Sequence, residues 1–252
     1  MTGSGPSGRI LKEDLDRAIA AGQAAPAMPG LIAEEVRLPA AQQAVAKRQM
    51  QAQGSVPLFH LQYRLEMAEA LEQFRTAHPG ISGSINILLM QGLAAALQEM
   101  PELNLTYDGA VARSVGSGNI GVAVARTDNA VAAPVLSAVE VQTAEELVGS
   151  LHAAIERARS GRLNPDDQSP AAIAISNLGG FGVTTFTAMV TPPQVMVLSV
   201  GALQRVPVWD DSTRQFVPGE VLDVTLGCDH RVVNGAQGAA LLQRLGRFMQ
   251  RP

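Results

Sequence analysis

The chain has 252 residues, enough for one large domain or two small ones at roughly 100–200 residues each. Its composition, 46% hydrophobic and 17% charged, supports a sizeable core and excludes general disorder. A formal net charge of -4 argues against a polyanion binder, so no nucleic-acid partner is expected, and no apolar run is long enough to span a bilayer. Cys228 is the single cysteine and cannot form an internal disulfide. With no signal-peptide pattern at the start, the expectation is a soluble, cytoplasmic protein with no membrane partner.

In chain order, residues 1–22 open with Gly/Ser/Pro turn chemistry and continue into one short helix carrying Leu11, Leu15 and Ile19 at helical spacing. Residues 23–34 read as an Ala/Pro/Gly linker, and residues 35–252 as the globular domain. The first helix is too small to bury a core alone. Helices are expected over Pro39–Gln53, Met67–Phe74 and Ile85–Met100, the last with Ile87, Met90, Leu93, Ala94 and Leu97 inside and Pro101 as its stop. Val56–Leu65 reads as β-rich, and Leu103–Tyr107, Ile120–Ala125 and Val131–Leu136 as strands. Thr143 is expected to cap a helix through Ala158, with Glu145 and Glu146 in its first turn. Further strands are expected at Ala172–Ile175, Val195–Val200, Arg205–Trp209, Gln215–Val217 and Val221–Leu226, then a last helix over Gly235–Met249. This order predicts an α/β (α+β) fold, a mixed sheet covered by helices rather than a regular βαβ alternation.

Of the four histidines, His78 precedes Pro79-Gly80 and reads as a solvated turn residue, His152 lies mid-helix, and His60 could face either way. None has the spacing of a metal site, so no metal is expected. His230 lies in Gly227-Cys228-Asp229-His230-Arg231-Val232-Val233-Asn234-Gly235, where a β-rich run meets a helix and Asn234 suits an N-cap. The same residues fit an ordinary turn with a satisfied histidine, and a lone histidine does not decide between the two. Ser176-Asn177-Leu178-Gly179-Gly180-Phe181-Gly182 ends a strand in a serine followed by glycines. That places a hydroxyl at a site edge or makes a plain glycine-rich loop; it is neither a serine-hydrolase elbow nor a phosphate loop.

These stretches carry a resemblance. Asp229 to Gly235 is similar to the D-H-R-x-x-[DN]-G signature of the acyltransferase (E2) components of 2-oxo acid dehydrogenase complexes. Ser176–Gly182, Thr191-Pro192-Pro193-Gln194, Asn119–Val124 and Ala133–Leu136 resemble four further motifs of that family, in the same order. Residues 1–22 resemble part of the peripheral-subunit-binding domain that precedes the catalytic domain. Its first helix is not recognised here, nor is a lipoyl domain, since neither Lys12 nor Lys47 has the lipoyl-lysine context. The family often has Asp where this chain has Asn234, which caps without a charge.

The resemblance implies a fold like chloramphenicol acetyltransferase, homotrimeric with interfacial active sites. It implies acyl transfer, acetyl favoured, between coenzyme A and dihydrolipoamide, with the lipoyl group supplied by a domain outside this chain. His230 would be the general base, Ser176 the oxyanion donor from the neighbouring subunit, and Asn234 the support of the turn. The implied partners are further copies of the chain, a lipoyl domain and, if the full binding domain is present, the E1 and E3 components of a pyruvate dehydrogenase complex. Two alternatives share the fold: a non-catalytic assembly scaffold, and a coenzyme A-dependent acetyltransferase acting on a small acceptor. An isolated trimer, rather than a cubic shell, is the expected assembly.

Overall fold

The computed structural model of the protein describes residues 3–20, 37–81, 83–116, 118–126 and 130–250. The chain divides into two units, Met1–Leu38 and Pro39–Pro252. In the first unit, helix α1 spans Lys12–Ala20. The Asp14 carboxylate accepts from the Leu11 N–H at 3.0 Å and the Ser4 N–H at 2.8 Å. Those backbone donors, Leu11 first, hold its pKa down to about 2. The expected linker over 23–34 lies outside the described residues.

The second unit begins with α2 (Ala40–Ser55), β1 (Leu58–Glu66), α3 (Ala68–Ala77) and α4 (Ser84–Glu99). All five residues expected inside α4 are buried, and Pro101 opens a 3-10 turn directly after it. A small hairpin follows, β2 (Leu105–Tyr107) with β3 (Ala112–Ser114). Next come β4 (Ile120–Val122), β5 (Val124–Ala125), β6 (Val131–Ala132) and β7 (Val135–Leu136). Helix α5 (Ala144–Arg159) starts with a capping box in which Thr143 and Glu146 each satisfy the other's backbone N–H. The chain then runs through β8 (Ile173–Asn177), β9 (Met196–Asp210), β10 (Gln215–Asp229) and α6 (Gly235–Met249).

Six strands form the main sheet, in the order β1-β10-β9-β8-β4-β7. The β4/β8 and β8/β9 pairs are parallel and the others antiparallel. The expected mixed sheet with helices is therefore present. Strand register separates its two faces. One carries Phe59, Cys228, Met196, Ile173 and Ile120 in a row, then Leu61, Leu226, Leu198, Ile175 and Val122, all packed into the core with α4 and α6. The opposite face carries small residues, among them Gly121, Ala174, Val197, Ser199 and Gly227.

Small side chains leave room there for the irregular chain before β9. A Cβ on Gly201 would collide with the Thr184 carbonyl, and one on Gly121 would sit 2.8 Å from Gln194 Nε2. Ala188 N–H donates to Ser199 Oγ at 2.8 Å, which anchors the segment to the sheet.

Three expectations change. The four short strands expected between Val195 and Leu226 are two long ones, β9 and β10, paired from Met196↔Cys228 to Asp210↔Gln215. Pro207 and Pro218 face each other in this ladder, beyond the last partners of β8 and β1. With no third strand alongside among the described residues, their missing N–H groups forfeit no further ladder bond there. Leu103–Tyr107 shortens to β2 and pairs only with β3, outside the main sheet. Ile120–Ala125 and Val131–Leu136 each break in two, with β5 and β6 forming their own ladder.

Candidate active site

The turn between β10 and α6 is held from several directions. Asp229 N–H donates to the Val195 carbonyl at 2.9 Å, and His230 N–H to the Pro57 carbonyl at 2.9 Å. The Asp229 side chain is fully buried and accepts from Arg231 N–H at 3.0 Å, Nε at 2.9 Å and Nη2 at 2.7 Å. These hydrogen bonds raise the Arg231 pKa above its ordinary value. The Arg231 guanidinium carbon lies 4.9 Å from the centroid of the Tyr107 ring. Tyr107 N–H in turn donates to the Pro193 carbonyl at 2.8 Å. The Thr191–Gln194 stretch and the histidine turn are therefore neighbours.

On the far side of the turn, Asn234 is the N-cap of α6. Its side chain accepts from Gln237 N–H at 3.0 Å, and Gln237 Oε1 accepts from Asn234 N–H at 3.1 Å. This is the cap expected from the sequence, and it needs no charge.

His230 itself is exposed. Its ring lies against Phe59, with centroids 4.7 Å apart and planes at 54°. Among the described residues its imidazole has no hydrogen-bond partner, so it is not a satisfied core histidine. The other histidines differ. His78 bonds Glu145 at 2.7 Å and stacks on Phe74 at 4.8 Å, so it is a half-buried link between α3 and α5 rather than a solvated turn residue. His60 and His152 are exposed on β1 and α5. Burial pushes the Cys228 thiol up to about 12, which removes it as a nucleophile at neutral pH.

Ser176 lies near the end of β8, half-buried, in line with Ser199, Thr225 and Gln62 across the sheet. The loop after it is shaped by Asn177. Asn177 Nδ2 donates to Asn86 Oδ1 at 2.8 Å, and its Oδ1 accepts from Gly179 N–H at 2.8 Å. Among the described residues the Ser176 hydroxyl has no hydrogen-bond partner. Phe181, five residues on, is 84% exposed.

Within one chain the structure keeps Ser176 and His230 apart. Register sets Ser176 level with Thr225 on β10, two strands away. At about 3.3 Å per residue and 4.8 Å per strand, the end of β10 at Asp229 is roughly 13 Å along and 10 Å across, roughly 16 Å in all. Two open cavities among the described residues lie elsewhere. One, of ≈ 350 Å³, is beside Arg205, Pro207 and Phe216, and the other, of ≈ 300 Å³, beside Ser137, Ser150 and Arg157.

The profile of the 2-oxoacid dehydrogenases acyltransferase (catalytic domain) matches residues 32–252. The chain belongs to this acyltransferase family. It is 32% identical over 260 residues to the dihydrolipoyllysine-residue acetyltransferase component of pyruvate dehydrogenase complex of Rickettsia conorii, covering 99% of this chain and 62% of that relative. The corresponding component of Zymomonas mobilis is 29% identical over 272 residues, of which this chain spans 61% of the length.

Among solved structures, the dihydrolipoamide acetyltransferase of Azotobacter vinelandii is 29% identical, with a TM-score of 0.77 over 90% of this chain and 97% of that one. A serine, a histidine and an asparagine were investigated for their role in that enzyme's catalytic mechanism. The cubic core of the pyruvate dehydrogenase multienzyme complex is 30% identical, with a TM-score of 0.76 over 90% of this chain and 97% of that one.

Four side chains that shape the histidine turn had no assigned role at the level of sequence: Phe59, Tyr107, Asp229 and Arg231. Asp229 and Arg231 flank His230, so the motif itself points to them. Phe59 and Tyr107 lie far from the motif in sequence: β1/β10 pairing brings Phe59 to the turn, while Tyr107, on a hairpin outside the main sheet, reaches it beside Pro193 and Arg231.

Proposed function

We propose that the chain transfers an acetyl group between dihydrolipoamide and coenzyme A, as the acetyltransferase core of a pyruvate dehydrogenase complex. The working unit is a homotrimer, and each site takes His230 from one subunit and Ser176 from the next. One observation carries this reading: in a single chain an exposed, unpartnered imidazole and an unpartnered signature hydroxyl lie toward opposite ends of the sheet, with the Ser176 backbone roughly 16 Å from the end of β10 that precedes His230. Both are free for substrate, and a second copy is what brings them together.

The chemistry follows from charge. A thiol attacks a thioester poorly unless its proton is removed. Neutral His230 takes the proton from the attacking sulfur as the new carbon–sulfur bond forms. The thioester carbonyl oxygen becomes an oxyanion, and the Ser176 hydroxyl donates a hydrogen bond to it. When the carbonyl re-forms, the other carbon–sulfur bond breaks, and His230 returns the proton to the departing sulfur. Exposure of the imidazole suits two thiol substrates that arrive from solvent, the dihydrolipoamide on a lipoyl domain and coenzyme A. Asn234 does not react; it holds the start of α6 and so the end of the turn. Membership of the complex adds the E1 and E3 components as partners where a full peripheral-subunit-binding domain is present.

The test is thiol release from acetyl-CoA with the purified chain, with and without free dihydrolipoamide, alongside its mass by light scattering. Release that depends on dihydrolipoamide, from a particle near three chains in mass, is the expected result. A folded trimer without release is a scaffold, and release that needs a different small acceptor is another acetyltransferase. A particle many times larger overturns the isolated trimer.

A further inference from the structure

We propose that Tyr107 is a positioning residue for His230, acting through Arg231; the functional consequence rests on the acetyltransferase reading above. The geometry forms a chain of contacts. Tyr107 is fixed by its N–H to the Pro193 carbonyl at 2.8 Å, by its hydroxyl to the Gly109 carbonyl at 3.0 Å, and by pairing with Ala112. Its ring faces the Arg231 guanidinium at 4.9 Å. Arg231 in turn grips the fully buried Asp229 through Nε and Nη2.

His230 lies between these two residues in the chain, so its backbone is held at both ends by one ion pair. The Arg231 side chain remains 26% exposed. Without a cover, water competes for the guanidinium and weakens its hold on Asp229. An aromatic face supplies that cover and attracts the cation as well. Asp229 has no other side-chain partner among the described residues, so loosening Arg231 leaves a buried carboxylate uncompensated, and the turn must shift to hydrate it. The imidazole then leaves its place against Phe59.

A packing role alone predicts something different. An aliphatic side chain of similar bulk in place of the ring would fill the space and leave His230 where it is. The aromatic face is the property that Tyr107→Leu removes and Tyr107→Phe keeps. Tyr107→Met is a second aliphatic variant, with a flexible side chain that adapts to the gap if leucine does not fold.

The experiment labels the four histidines with 13C at Cε1 in the intact chain and assigns the His230 signal by its loss in His230→Gln. Phe59 at 4.7 Å gives that signal a ring-current shift that reports the placement of the imidazole. In Tyr107→Leu, or Tyr107→Met, the His230 signal should move toward the position of an unstacked histidine, while those of His60, His78 and His152 stay. The turnover kcat should fall about 10-fold with KM nearly unchanged. Tyr107→Phe should restore both the signal and the rate. An unmoved His230 signal in the folded aliphatic variant overturns the proposal, and so does a phenylalanine variant that behaves like the aliphatic ones. If the unmodified chain transfers no acetyl group, the signal still decides the placement, so failure of the acetyltransferase reading is told apart from failure of this one.

Discussion

The two ends of the sheet that carry the candidate machinery are built in opposite ways. The His230 turn is completed by its own chain: two backbone bonds, a buried ion pair, an aromatic cover, a ring contact and a helix cap converge on it. The Ser176 end is left open. Its hydroxyl is unpartnered among the described residues, glycines follow it, and Phe181 stands 84% exposed. If His230 is the proposed general base, it must keep one orientation through a proton transfer, which suits a scaffold that is local and over-determined. An oxyanion donor needs only to meet a charge that develops elsewhere, so it can sit on a surface that a second copy completes. On the proposed mechanism, the contrast teaches that a rigid reacting group and an interfacial one can share a site while belonging to different chains.

Several substitutions break or sharpen this contrast. Removing the base should do most: His230→Ala is expected to lower kcat by roughly two to four orders of magnitude while the trimer stays intact. Near-normal turnover in a steady-state assay would remove His230 from the mechanism. Ser176→Ala should cost about 100- to 1,000-fold in kcat, or about 3–4 kcal/mol, with KM for coenzyme A little changed. A loss concentrated in KM would make Ser176 a binding residue instead.

Mixing the two inactive chains is the sharper experiment. If each site takes one residue from each of two neighbours, unfolding and refolding the variants together at equal ratio restores about one quarter of the sites, because random assembly pairs intact halves that often. Activity that stays at the level of the separate variants would place both residues in one chain, against the strand register. The smallest effect belongs to the cap. Asn234→Ala should reduce stability by about 1 kcal/mol in denaturant unfolding, through loss of the bond to Gln237 N–H. A much larger loss of activity than of stability would mean that Asn234 does more than hold the helix.

Much of this is legible in the sequence where the signal is local. The α4 stripe of Ile87, Met90, Leu93, Ala94 and Leu97 is buried because helical periodicity puts those side chains on one face. Thr143 with Glu146 and Asn234 with Gln237 read as caps because the partners lie three residues apart in the chain. The β9/β10 hairpin is not legible in this way, because Gly201, Pro207, Pro218 and Gly219 look like breaks in isolation. Pairing decides the matter: Pro207 faces Pro218, and Gly201 admits the Thr184 carbonyl.

The sequence by itself determined the motif order, the strand-to-helix turn that carries His230, and the serine at the end of a strand. Each of these depends on residues within a few positions of one another. Only the tertiary structure decided that Ser176 and His230 lie far apart, that Asp229 is buried beneath Arg231, and that Phe59 and Tyr107 flank the turn. Those facts depend on strand register, as between Phe59 and Cys228, and on long-range bonds such as Tyr107 N–H to the Pro193 carbonyl, and no local periodicity encodes such contacts.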